Sequence, residues 1–132
     1  MSDLPKAAYF QTLSEWSAQL RARAISSRDL TRAYLDRLEK IGPRLNAVAL
    51  MLRKDAEDQA KNVDRMLKSE RFTSVLQGIP FGAKDLLAVA YRRTEWGAPQ
   101  FAGQLFKESA TVIRKLQKVG AILAAKLSMI EL

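Results

Sequence analysis

The 132-residue chain contains no cysteine and no histidine. Without cysteine there is no disulfide framework, no thiolate nucleophile and no cysteine-rich zinc site. Without histidine there is no Ser-His-Asp triad and no imidazole metal ligand. A general base working near neutral pH must therefore be a lysine, a tyrosine or a carboxylate in a perturbed environment. The absence of cysteine is compatible with a reducing cytosol. Long apolar runs are also missing. The longest, near 45–52 and 86–90, are too short to span a bilayer. The N-terminus carries Asp3 and Glu15 and has no uninterrupted apolar stretch of a secretory signal. These features predict a soluble, cytoplasmic protein without a membrane partner. There is no internal repeat and no low-complexity tract.

What remains is enough for a globular core: 48% of residues are hydrophobic and 27% charged. Lysine and arginine exceed aspartate and glutamate by 22 to 14, a formal charge of +8. The excess is spread along the chain. Residues 1–77 hold 14 basic and 10 acidic side chains, and residues 78–132 hold 8 and 4. Many basic residues alternate with acids, as in Arg28-Asp29, Asp36-Arg37, Glu39-Lys40 and Lys54-Asp55. That pattern is a solvated helix surface rather than a nucleic-acid footprint, and no aromatic residues are interleaved with it.

The first half reads as helical. Thr12 and Glu15 have capping-box spacing, with Leu13, Trp16 and Leu20 following on one face. A second helix begins at Ser26 or Ser27, shows Leu30, Tyr34, Leu38 and Ile41 on one face, and ends at Gly42-Pro43. Leu45–Leu52 reads as a short buried strand. A third helix runs from about Lys54 to Lys68 on Ala56, Ala60, Val63 and Leu67. Glu70–Gln77 reads as a surface loop.

The second half changes character. Gly78–Asp85 predicts a strand with a turn at each end. Thr94–Gln104 reads as a loop. Ser109 is expected to cap a helix with Val112, Ile113, Leu116 and Val119 inward, stopped by Gly120. Ala121–Ala125 reads as a buried strand. Strand, connection, helix and strand predict a βαβ-like unit with a parallel pair. The fold class expected is α/β: about three helices, then the start of a mixed sheet flanked by helices. The chain is read as one incomplete domain over 1–132, mainly helical over 10–70, with the α/β core beginning at 76. Few residues follow the last strand to cover a second face or a sheet edge.

Lys84 is the candidate of most interest. Lysine is rare within an apolar strand unless paired or functional. Alternation puts Ile79, Phe81, Ala83 and Asp85 on one face and Pro80, Gly82 and Lys84 on the other. Gly82 is expected to leave open space beside the amine. A desolvated lysine can act as a neutral base; an edge-strand lysine can also simply block aggregation. Spacing alone favours the second role by roughly two to one. Ser26-Ser27 reads as a helix cap. Trp96, Ser128 and Met129 are candidates for lining a pocket or supporting the core. Lys126 to Met129 follow a strand at its carboxyl end, where α/β sites gather. Glu57, Asp58 and Asp64 lie on a solvated helix and are not expected to hold a metal. No phosphate-binding glycine motif is present.

The segment Leu76-Gln-Gly-Ile-Pro-Phe-Gly-Ala-Lys-Asp-Leu-Leu87 resembles the block of amidase signature enzymes that contains their catalytic lysine. Thr94–Pro99, Ala110–Leu116 with Val119–Leu123, and Lys126–Leu132 resemble the family's following loop, helix, strand and helix start. Ser26–Leu30 and Pro43–Ala47 are similar to its usual beginning. The resemblance covers roughly 10–132 and implies a Ser-cisSer-Lys hydrolase of carboxamide C–N bonds, with Lys84 as base through a bridging serine and with no cofactor or metal. The alternative within the same family is an amidotransferase A-type subunit delivering ammonia from glutamine, which would bring a tRNA-bound substrate into play. No Gly-Gly-Ser-Ser pattern occurs here, so both serines are expected beyond residue 132, and the chain alone is expected to be inactive. Ala88–Arg93 lacks the Asp, Gly and Pro common there, and Arg92-Arg93 fills the turn. A non-catalytic binding module and a homo-oligomer remain open alternatives at this level.

Overall fold

The computed structural model describes residues 6–129. Asp3 and the helix start expected over 130–132 lie outside that range. The described chain forms four α-helices, α1 (Leu13–Arg21), α2 (Ser27–Ile41), α3 (Arg53–Lys68) and α4 (Thr111–Lys118). It also forms three strands, β1 (Val48–Met51), β2 (Pro80–Lys84) and β3 (Ile122–Leu127). Among the described residues no helix is long and apolar enough to cross a membrane.

The helix starts follow their capping chemistry. Thr12 and Glu15 form a reciprocal capping box at α1. At α2 the Ser26 hydroxyl accepts from the Asp29 N–H at 3.0 Å. Asp64 of α3 accepts from the Ser27 and Arg28 N–H groups at 2.7 and 3.2 Å. Ser27 itself is buried and donates its hydroxyl to the Gly78 carbonyl, so the serine pair is structural. Arg53 ties α3 to Asp36 and Glu39 of α2. Glu57 pairs with Arg32, and Asp58 with Lys54.

The sheet order is β1-β3-β2, with β3 antiparallel to β1 and parallel to β2. The expected α/β class and parallel pair are borne out. β3 is the centre, and five of its six residues are buried. On one face Ile122 and Ala124 pack with Leu35, Ala56 and Val63 of α2 and α3. On the other, Leu123 packs with Ala83, Leu52, Val89 and Ile113. Both faces and both edges of the last strand are therefore occupied, contrary to expectation. The earlier loop and α4 supply the second face, and β1 supplies the second edge.

Several local expectations are corrected. The strand expected over 45–52 is shorter and half-buried, and Leu45 is exposed in a 3-10 turn. Gln77 is buried, not on a surface loop; its side chain joins the Thr73 N–H to the Arg71 carbonyl. Ser109 does not cap α4, whose N-cap is Ala110. The Ser109 hydroxyl instead accepts from the Ala90 N–H at 2.9 Å. Of the apolar residues on α4, Ile113 is buried but Val112 is 45% exposed. Gly120 does stop the helix, with φ +87°. Leu35, absent from the expected face of α2, is fully buried.

One irregularity positions the site. Phe81 stands beside Leu123 and Gly82 beside Ala125, leaving Ala124 unmatched on β3. Such a bulge resets the alternation of side chains. By strict alternation residues 123 and 126 would point to opposite faces. With the extra residue, Lys126 stands beside Ala83, on the face that carries Leu123.

Candidate functional site

β2 and β3 run parallel, so their carboxyl ends lie together. Lys84 is the last residue of β2. Burial along the strand alternates as expected, with Ala83 and Asp85 buried and Gly82 and Lys84 exposed. For Lys84 one of the two readings is narrowed and one expectation is corrected. Its side chain is exposed rather than desolvated. The space at Gly82 is also occupied, because a Cβ placed there would lie 2.9 Å from Leu127 Cδ1. Leu127 is the register partner of Lys84 and leans across the glycine. The amine is nonetheless held: Nζ donates to the Ser128 carbonyl oxygen at 2.7 Å.

A second lysine, expected only as the first residue of a segment after the strand, is fully buried here. Lys126 lies inside β3 rather than after it and has no exposed surface. Its Nζ is 2.6 Å from Asp85 Oδ1. It also donates to the Arg93 carbonyl at 2.9 Å and to the Thr94 hydroxyl. An ammonium has three N–H donors, and three acceptors surround this one. Burial pushes the Lys126 amine below its ordinary pKa, while Asp85 and then Glu95 act in the opposite direction. The other Asp85 oxygen, Oδ2, accepts from the Glu95 and Trp96 N–H groups at 2.9 and 3.0 Å. The signal that could have found this pair was Lys126 at the end of an apolar run and Asp85 on the buried face of its neighbour.

The loop that Asp85 holds is tightly bent. Trp96 has φ +55° and Gly97 φ +71°. A Cβ on Gly97 would meet Met129 Cβ at 3.0 Å, so a glycine lets the loop close on the 128–129 segment. The Trp96 ring is half-buried and meets Phe101 edge-on at 4.8 Å between centroids. An open cleft of ≈ 400 Å³ lies at this end of the sheet, lined by Asn46, Asp85, Glu95, Gly97, Ser128 and Met129 among others. Ser128 and Met129 thus border the cleft, which Lys84 does not line, while the Trp96 ring packs against Phe101 and Phe106.

Tyr91 takes φ +57°, and Arg92 reaches back to Asp55 of α3 through two hydrogen bonds of 2.7 and 3.0 Å. Among the described residues no group of three or more acidic side chains could hold a metal ion.

Comparison with known proteins agrees with the fold and the motif. The family model described as Amidase matches residues 29–132. The chain is 36% identical over 121 residues to the A subunit of glutamyl-tRNA(Gln) amidotransferase from Coxiella burnetii, covering 92% of this chain and 25% of that protein. It is 34% identical over 131 residues to the corresponding protein of Dehalococcoides mccartyi, covering 99% and 26%. Among solved structures it is similar to a peptide amidase of Stenotrophomonas maltophilia, with a TM-score of 0.86, 29% identity, and coverage of 93% of this chain and 26% of that one. An amidase family protein of Bacillus anthracis gives 0.85 at 27% identity, covering 96% and 25%. The chain spans about a quarter of the length of the relatives it matches. With the matched family model extending over most of its length, and the lysine-bearing strand within that match, this chain belongs to the amidase family.

Proposed function

We propose that this chain supplies the lysine-bearing part of a cytoplasmic hydrolase of carboxamide C–N bonds, with Lys84 as the proton acceptor. The observation that carries the reading is the placement of Lys84. Its amine is exposed at the carboxyl end of a parallel strand and steadied by one carbonyl oxygen, Ser128 O, at 2.7 Å. An amine so placed is open to a group arriving from outside the described chain. In the scheme the family resemblance implies, the nucleophilic serine passes its proton through a bridging serine to the lysine. The serine oxygen then bonds to the amide carbon. The C–N bond breaks, the proton returns to the departing ammonia or amine, and water hydrolyses the acyl-enzyme. An amine accepts that proton only when neutral, which desolvation favours. In this reading, chain packed over Lys84 supplies both the serines and the desolvation.

The test is amide turnover, followed as ammonia or amine release. The 132-residue chain alone is expected to give none. The chain extended by the serine-bearing part of an amidase domain is expected to turn over amides, and Lys84→Ala is expected to lower kcat by about 10²–10⁴-fold. Parental turnover in the extended Lys84→Ala protein would overturn the role of Lys84.

A second reading, part of a glutamine-dependent amidotransferase, is favoured by the relatives that are A subunits of glutamyl-tRNA(Gln) amidotransferase. Glutamine and a peptide amide, assayed side by side, separate the two. Turnover of glutamine alone favours the amidotransferase, and turnover of the peptide amide favours a free-standing amidase.

A further inference from the structure

We infer that the buried Asp85–Lys126 pair is a positioning element that locks the Thr94–Gly97 loop across the ends of β2 and β3 and so fixes the backbone on which Lys84 rests. The inference rests on the reading of Lys84 as the proton acceptor, but its geometric half stands without it.

The pair joins three segments distant in sequence. Asp85 directly follows β2, Lys126 lies in β3, and Arg93 and Thr94 lead into the loop. Every hydrogen-bonding position of the ammonium is used within this cluster, and both carboxylate oxygens are engaged. A satisfied buried network of this kind specifies geometry more than it adds stability. The loop shows what is being specified. Trp96 holds a left-handed backbone at φ +55°, which a non-glycine residue keeps only where its surroundings over-determine it. The Trp96 N–H is one of the two that Asp85 Oδ2 accepts. Gly97 follows directly and abuts Met129. The residue before Met129 is Ser128, whose carbonyl holds the Lys84 amine. A continuous path of contacts therefore runs from the buried pair through the loop to Lys84.

The experiment replaces the pair with neutral residues of similar size, Asp85→Asn with Lys126→Met, and follows amide hydrogen exchange by NMR. If the pair positions the loop, the Glu95 and Trp96 amides exchange about tenfold to a hundredfold faster, while the Ile122–Ala125 amides of β3 keep parental protection. Should the double variant lose β3 protection as well, Thr94→Val becomes the deciding variant. It removes one acceptor of Lys126, and a smaller acceleration confined to the same two loop amides is expected. Loop amides at parental protection in whichever variant keeps its β3 protection would overturn the inference. In the extended protein the double variant is expected to lower kcat about tenfold or more at near-parental KM. Freed loop amides with parental kcat would break the link to Lys84. Failure of the underlying reading looks different: Lys84→Ala would then keep its turnover whatever the loop amides do.

Discussion

Lys84 and Lys126 stand near the ends of adjacent parallel strands, one register step apart, and their surroundings are opposite. Lys84 is exposed and touches one carbonyl oxygen. Lys126 has no exposed surface and is surrounded by Asp85, the Arg93 carbonyl and Thr94. A buried charge is tolerated only with its partners in place, so the surroundings of Lys126 must be rigid. An exposed amine makes no such demand and is free to serve an incoming group. The two lysines thus divide structural and chemical duty across a single pair of strands. Their placement depends on Ala124, whose bulge turns Lys126 toward Asp85 and leaves Lys84 on the other face.

The sharpest way to break this contrast is to truncate each lysine in turn. Lys126→Met leaves the Asp85 carboxylate buried without its counter-ion and is expected to cost about 3–5 kcal/mol in urea unfolding. Lys84→Met is expected to cost about 1 kcal/mol or less, since only one hydrogen bond is lost and the site is wet. Equal costs would remove the distinction between the two.

A smaller effect is expected at Gly82. An alanine Cβ there would press on Leu127, at 2.9–3.1 Å from three of its side-chain atoms. Leu127 is half-buried and has room to yield, so Gly82→Ala is expected to destabilise by about 1 kcal/mol, the low end for overpacking. Displacing Leu127 also disturbs the surface beside Lys84, which labelling of the Lys84 amine at constant pH would register as a changed rate.

The smallest effect concerns the acid limb of stability. Arg92 holds the Asp55 carboxyl below its usual range by hydrogen bonding, against a smaller opposing contribution from burial. A carboxyl depressed in the folded state adds stability above its unfolded pKa, and that stability is lost as pH falls through the folded value. Both side chains are more than a third exposed, so solvent screens the pair. Arg92→Met is expected to flatten urea midpoints measured from neutral pH into and below the carboxylate range by about 0.5 kcal/mol or less. An acid limb as steep as in the parent would show that the pair contributes nothing.

The helical half was legible because its signals are local. The Thr12–Glu15 box, the Ser26 cap, the Ala56–Ala60–Val63 stripe and the Gly120 stop all act within a turn of helix. Lys84 and its face were legible because strand alternation held from Ala83 to Asp85. Three features were not, and each involves residues far apart in the chain. The second edge of β3 is covered by β1, more than seventy residues earlier. The space at Gly82 is taken by Leu127 from the neighbouring strand. Lys126 is buried because a bulge, invisible to period-two counting, brings it to Asp85.

The bulge at Ala124 also makes residue number matter more than residue type along this strand. Removing Ala124 would restore strict alternation and leave the two sides beyond it as they are, because Lys126 would then stand two positions from Leu123. Straightening the strand with Ala124 kept would instead turn the ammonium toward the face of Leu127 and bring Leu127 to a slot lined by a carboxylate and a carbonyl. A substitution at Ala124 by another small residue leaves the present order intact, and so does deletion of that residue, whereas one further residue inserted there reverses it. Descendants of this sequence are therefore expected to vary or lose residue 124 far more readily than to gain a residue between 123 and 126.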